Sequence, residues 1–284
     1  MQNTSQSSLF VSTGSLTAEV IITGIDAFID TCISHPFWEE FIPSVRLKRS
    51  VDQQPVITWT LCESSQPRYD LNNRHIETPV EYIMWAIVII EAVFEQLRQA
   101  DDSYTLHGSV AALHDSAVGF IGGVSGLGKT SVSTYIATHG GQWLSDEKFV
   151  VDSQGIITAG VGRILNDDKT RRSSRNRRPD GVTAPVPLRL LCIPILTSES
   201  EPTVHLLDER RSTWQFYDEM SRDIRQINGM LQGFSEPLPS LDTPEIALRR
   251  GTAAASLGRH IPVAYIRGTA SSITKEIQRL LSES

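Results

Sequence analysis

Cysteine is scarce in this chain. The three present, Cys32, Cys62 and Cys192, are odd in number, far apart and outside any CxxC pattern. That spacing excludes a disulfide framework and a zinc site, and the thiols are expected to be buried in a reducing, cytoplasmic setting. Long apolar runs are missing as well. The longest, Tyr82 to Ile90, is bounded by Glu81 and Glu91; a spanning helix needs roughly 20 apolar residues, so this run is expected to be a buried core helix and no membrane partner is expected. Basic residues are in deficit, with 26 Lys and Arg against 33 Asp and Glu and a net charge of -7. Nucleic acid is therefore not an expected partner, because such binders need a basic face to displace counterions from phosphates. The opening MQNTSQSSLFVSTGS has neither a basic n-region nor an apolar h-region, so it reads as a short unstructured start and not as a secretion signal. No internal repeat or heptad pattern is present, and low complexity is confined to the serine-rich ends.

Apolar residues at 40% and charged residues at 21% are ordinary proportions for a globular chain, and 284 residues can bury a core without staples. Periodicity gives short strands at 18–23, 45–48 and 56–61 and a helix at 26–34. Thr78-Pro79-Val80-Glu81 supplies an N-cap, a first-turn proline and a capping-box acid, which starts a helix running from 79 to about 100. Two apolar strands follow at 106–113 and 117–121, joined by the turn residues His114-Asp115-Ser116. Beyond them come a helix over 130–139 stopped by Gly140-Gly141, strands at 142–144 and 149–151, a strand at 189–196 and a helix at 212–231. The chain closes with a helix at 244–257, a strand at 263–266 and a helix at 273–281. Alternation of this kind predicts a mixed α/β fold, divided into an N-terminal α/β lobe over 1–104 and a core over 105–284.

The most specific feature is Gly123-Val124-Ser125-Gly126-Leu127-Gly128-Lys129-Thr130, which fits GxxxxGK[ST] at every fixed position between an apolar strand and a helix. Its chemistry follows from the residue types. Glycines let backbone N–H groups converge on phosphate oxygens, and the helix that follows adds its positive end. Lys129 reaches the β and γ phosphates, and Thr130 offers a hydroxyl to Mg²⁺. The expected ligands are ATP and Mg²⁺, held by residues 123 to 130 together with Ser131.

Two neighbouring features narrow the family. His107-Gly108 opens the strand pair ahead of the loop, and Trp143-Leu144-Ser145-Asp146-Glu147 follows it, with Asp146 17 and Glu147 18 residues after Lys129. With the loop, these motifs resemble the HPr kinase/phosphorylase superfamily over roughly residues 106–152, with a weaker echo in 187–196 and the final strand and helix. The resemblance implies a P-loop core of the HPr-kinase/PEP-carboxykinase-like type, with a mixed sheet and flanking helices. It also implies roles: Lys129 on phosphate, Thr130 and Asp146 at the metal, Glu147 as the base that takes the hydroxyl proton, and His107 in the active site. Three departures accompany it. Ser131 stands where an acid is usual, Gly141 where a second histidine is usual, and no EIRGLG signature is present, so a replacement for the family's second metal ligand is not identified and HPr itself is not the expected acceptor.

The resulting expectation is a kinase that transfers the γ-phosphate of ATP to a serine or other hydroxyl of a peptide or small molecule, with homo-oligomers expected by analogy. The alternative is an ATP-binding regulatory sensor, which has no need of a base beside the metal-side acid. A GTPase-like hydrolase fits less well, for no NKxD specificity motif is found. Lys169, Arg171, Arg172, Arg175, Arg177 and Arg178, preceded by Asp167 and Asp168, form a basic stretch in an acidic chain, read either as a solvated loop or as a docking element for phosphate or carboxylate. Arg249 and Arg250 are expected near a helix C-terminus as dipole partners.

Overall fold

Two sheets form, the first with buried and less buried side chains alternating along its strands, the second with near-continuous apolar strands buried on both faces. The computed structural model describes residues 6–13, 15–23, 26–66, 68–78, 83–123, 126–161, 179–225 and 240–283. The fold is mixed α/β, and its contacts divide into two units: residues 1–38, 44–102 and 221–249 in the first, residues 39–43, 103–220 and 250–284 in the second. No described helix is long and apolar enough to cross a membrane.

The first unit is built on a mixed sheet of six strands, β1 (Gln6–Ser12), β2 (Thr17–Thr23), β3 (Arg46–Lys48), β4 (Ile57–Glu63), β5 (Arg68–Asp70) and β6 (His75–Thr78), in the order β3-β1-β2-β4-β6-β5. One face buries Leu9, Val11, Val20, Ile22, Trp59, Leu61 and Ile76. Against it lie α1 (Asp26–Ile33) and α3 (Ile83–Ala100), and the short α2 (Phe37–Phe41) falls between them in sequence. The apolar run expected as a core helix lies in α3, with Ile87, Ile90, Val93 and Leu97 buried; residues 79–82 of the expected helix lie outside the described residues. The opening of the chain corrects the expectation of an unstructured start. Leu9 and Val11 are buried and alternate with the half-buried Ser8, Phe10 and Ser12, and the strand they form pairs with β2 throughout, Gln6 facing Thr23 and Ser12 facing Thr17. Serine-rich composition had hidden a period of two. Cys62 is half-buried, whereas Cys32 and Cys192 are buried as expected.

In the second unit, β7 (Ser103–Leu113), β8 (Ser116–Ile121), β9 (Gln142–Ser145), β10 (Lys148–Asp152), β11 (Ile156–Gly160), β12 (Val186–Leu196), β13 (Thr203–Leu206) and β14 (Val263–Gly268) make a mixed sheet, with β12 parallel to β8 and β14 and the other pairings antiparallel. Successive residues of a strand point to opposite faces, and β7 sends Val110 and Ala112 into one core, Ala111 and Leu113 into the other. The first core takes in Phe216 and Met220 from α5 (Glu209–Ser221) and Ala253 and Leu257 from α6 (Pro244–His260). The second takes in Val132 and Ile136 from α4 (Lys129–Thr138) and Ile273 and Ile277 from α7 (Ala270–Ser282).

Two expectations change here. The helix expected over 212–231 ends at Ser221, where the chain leaves the helix for turns; the Ile224 carbonyl accepts from the Leu241 N–H at 3.2 Å, and residues 226–239 lie outside the described residues. Arg249 and Arg250 are not at a helix end, since α6 continues to His260. Arg249 donates to the Ala100 carbonyl at 3.0 Å, while Arg250 is fully buried over the Tyr217 ring.

Strands β7 and β8 approach so closely at Gly108 that a Cβ there would sit 2.1 Å from the Phe120 carbonyl oxygen. Gly108→Ala should therefore push the two strands apart and lower stability by ~2 kcal/mol or more, the scale of overpacking in a core. Urea unfolding of the variant beside the parent measures it, and an unchanged midpoint would count against this packing.

Candidate functional site

Strands β9 and β10 run in series along one edge of β7. Val110 faces Ser145 and His107 faces Lys148, so Asp146 and Glu147 fall opposite Ser109 and Gly108, where the strand is interrupted. The Gly108 N–H still donates to the Glu147 carbonyl at 2.9 Å. Glu147 itself takes a left-handed backbone, φ 70°, a conformation that costs a non-glycine residue on the order of 1–2 kcal/mol. That local turn aims the acidic pair out of the strand's regular alternation.

The glycine-rich segment follows β8 directly. Gly126 and Gly128 have positive φ, 92° and 111°, and a Cβ on Gly128 would meet Leu196 Cγ at 2.4 Å, so only glycine fits there. The Leu196 N–H donates to the Leu127 carbonyl at 3.1 Å, tying the segment to the end of β12. At Gly123 and Gly126 a Cβ would meet nothing within 4 Å, which leaves open space beside the backbone. Helix α4 begins at Lys129 with Gly128 as its N-cap, so the first N–H groups of the helix have no intrahelical acceptor. Lys129 Nζ donates to the Gly122 carbonyl at 3.0 Å, and Ser131 is exposed on the first turn. Val124 and Ser125 lie outside the described residues.

The Thr130 hydroxyl donates to Asp146, 3.0 Å from Oδ1 and 3.3 Å from Oδ2. This contact joins the start of α4 to the strand break. His107 stands next to the other acid, its Nε2 3.9 Å from Glu147 Oε2, the two side chains 31% and 24% exposed. Lys129, Thr130, Asp146, Glu147 and His107 thus gather around the junctions of β7, β8, β9 and α4. Among the described residues no three His, Cys, Asp or Glu side chains converge on one point. The hydroxyl of Thr130 and the carboxylate of Asp146 offer two oxygens, a donor set suited to Mg²⁺, which usually keeps waters and binds one or two carboxylates along with phosphate oxygens.

Asp146 is only 7% exposed. Burial pushes its carboxyl up to about 6; hydrogen bonds from Thr130, the Glu147 backbone and Ser109 pull it down, and the Glu147 charge adds to the rise. Ser109 belongs to a buried network that the sequence did not reveal. The Trp143 indole N–H reaches Ser109 Oγ at 3.1 Å, Ser109 Oγ lies 2.8 Å from Ser133 Oγ and from the Ser145 carbonyl, and Ser133 Oγ donates to the Lys129 carbonyl at 3.0 Å. Through these groups the strand carrying the acids and the helix carrying Lys129 and Thr130 share one set of hydrogen bonds. The only trace in sequence was a small polar residue between Gly108 and the apolar run Val110–Leu113.

The basic stretch from Lys169 to Arg178 lies outside the described residues. Its flanks are anchored near the acids: the Asp146 N–H donates to the Val161 carbonyl at 2.7 Å, and the Asp180 N–H to the Trp143 carbonyl at 2.6 Å. Compared with known proteins, the chain matches no family model, and no curated protein matches it.

Because the Asp146 carboxyl titrates higher in the folded chain (about 6) than at its ordinary value of 3.8, the folded state holds the extra proton between those values. Stability contributed by this group falls as pH rises through that window, by at most roughly 3 kcal/mol, and levels off above it. Asp146→Asn removes the titration. In ligand-free protein the variant should match the parent near pH 4, gain on it as pH rises from 4 to 6 and keep a constant advantage above that, as read from the difference between their melting temperatures across a pH series; a difference that does not change between pH 4 and 6 would contradict the assignment.

Proposed function

We propose that the chain is an ATP-dependent phosphotransferase that moves the γ-phosphate to a serine or other hydroxyl of a peptide or small molecule, with the second unit acting as a P-loop core of the HPr-kinase/PEP-carboxykinase-like type. The observation that carries the reading is the Thr130–Asp146 hydrogen bond with Glu147 immediately beside it. A hydroxyl and a carboxylate at the start of the loop helix suit a metal, and a second carboxylate next to them suits a base.

Each residue then has a distinct task. The backbone N–H groups from Gly123 to Thr130 and the start of α4 receive phosphate oxygens, which is favourable at a helix N-terminus. Lys129, held at the Gly122 carbonyl until phosphate competes for it, neutralises charge on the β and γ phosphates. Mg²⁺, held by Thr130 and Asp146, supplies further neutralisation of that charge. Glu147 accepts the acceptor's hydroxyl proton as its oxygen bonds to the γ-phosphorus and the bond to the bridging oxygen breaks, releasing ADP. His107, 3.9 Å from Glu147, orients that carboxylate. Phosphoryl transfer asks mainly for positioning and electrostatics, so a base needs only to lie within hydrogen-bond reach of the hydroxyl.

Two substitutions test the assignment in parallel assays of Mg·ATP affinity and of transfer to seryl peptides and small hydroxyl compounds. Lys129→Ala should reduce transfer by ~10²- to 10³-fold, the usual loss for one electrostatic donor, with the melting temperature retained. Glu147→Gln should keep Mg·ATP affinity and slow transfer by ~10²- to 10⁴-fold, since glutamine keeps the shape but takes no proton. If the parent binds ATP, transfers to no acceptor and cannot be told from Glu147→Gln, the chain is a nucleotide sensor and the kinase reading is wrong.

A further inference from the structure

Trp214 on α5 is 70% exposed, yet its ring is held. It stacks on Tyr217 with the centroids 5.8 Å apart and the planes at 10°. Tyr217 in turn lies over Arg250, whose Cζ is 4.9 Å from the ring centroid and whose Nη2 is 3.4 Å from the tyrosine hydroxyl. Arg250 is fully buried. The exposed indole therefore sits at the outer end of a ladder resting on a fixed guanidinium. A solvated tryptophan gains little from such ordering, whereas an anchor for a partner gains much, because its rotamer freedom is lost before binding.

The charges around it carry a further pattern. Arg210 and Asp218 are both exposed, each four residues from Trp214, and four residues of helix return to within about 40° of the same face, about 6 Å along the axis. A cation stands one turn before the indole and an anion one turn after it. Their neighbours are engaged within the chain, Arg211 with Asp208 at 3.5 Å and Glu209 with Arg259 at 3.2 Å; among the described residues neither Arg210 nor Asp218 takes part in an ion pair. A twofold axis perpendicular to α5 at Trp214 exchanges the positions of 210 and 218. It sets each arginine against the aspartate of the other helix, the self-complementarity that an isologous contact requires.

We propose that α5 pairs antiparallel with α5 of a second copy of this chain, with Trp214 at the centre and Arg210 facing Asp218 of the partner subunit on both sides. Nothing in this pairing depends on phosphotransfer, so Lys129→Ala should dimerise as the parent does. Sedimentation equilibrium of the full chain from ~1 to ~200 µM, a range suited to a micromolar contact, should reveal a concentration-dependent dimer. Trp214→Ala should weaken it by about a hundredfold or more, since the anchor is lost twice. Arg210→Asp and Asp218→Arg should each weaken it by like-charge contact, and the two changes combined in one chain should restore it. Mixing the two single variants should give a heterodimer, because Asp at 210 then meets Arg at 218 and the unaltered pair also matches. A monomer throughout the range overturns the proposal. So does a dimer indifferent to Trp214→Ala, or charge variants that fail to rescue each other.

Discussion

The backbone of β7 is shared among three strands, and that sharing fixes the candidate site. Along its second half it bonds to β8 on one side and β9 on the other, and along its first half to β10. Because β9 and β10 must both follow the same edge, the residues between them have to leave the ladder within two positions. Asp146 and Glu147 occupy those positions. The loop after β8 and the helix after it are set by the same strand, since β8 is held to β7 at the distance that Gly108 permits. Displacing β7 would separate Thr130 from Asp146 and Glu147 from His107 together.

Burial then differentiates the two acids. Asp146, almost fully enclosed and hydrogen-bonded by Thr130, Ser109 and the Glu147 backbone, is a carboxylate with fixed geometry and an elevated affinity for protons. Glu147 is a quarter exposed and free of that enclosure, with histidine as its neighbour. Adjacent acidic residues thus meet different surroundings, one enclosed and held by hydrogen bonds, the other partly open to solvent beside an imidazole. This asymmetry supports separate roles better than the spacing of the residues does.

Much of the second unit was legible in the sequence. The strands read at 106–113 and 117–121, which the structure extends to start at Ser103 and Ser116, the turn at His114, the helix after Lys129 and the strand–loop–helix context of the glycines all follow from periodicity and from glycine's conformational reach. The acidic pair was legible as a pair, and not as a break in a continuous strand, because two charged residues interrupt the apolar pattern whichever way the backbone runs. The Ser109–Ser133–Trp143 network was invisible for a related reason: it joins residues from three elements, and no local pattern relates them. Strand β1 was lost to composition, since Leu9, Phe10 and Val11 form a short apolar run among serines, and the alternation is one of burial and not of residue type. The end of α5 at Ser221 was lost to periodicity, since Ile224 continues the helical spacing after the helix has stopped.

The left-handed backbone at Glu147 bears on how this chain can be engineered. Glycine, asparagine and aspartate adopt that conformation more readily than glutamate, so glutamate occupies the position against local preference. Any procedure that ranks substitutions by folding stability alone will favour replacing it, and a thermostabilised version carrying glycine or asparagine there would lose its second carboxylate, while aspartate would keep one but draw it back by a methylene, with the glycine-rich loop, Thr130 and Asp146 still in place.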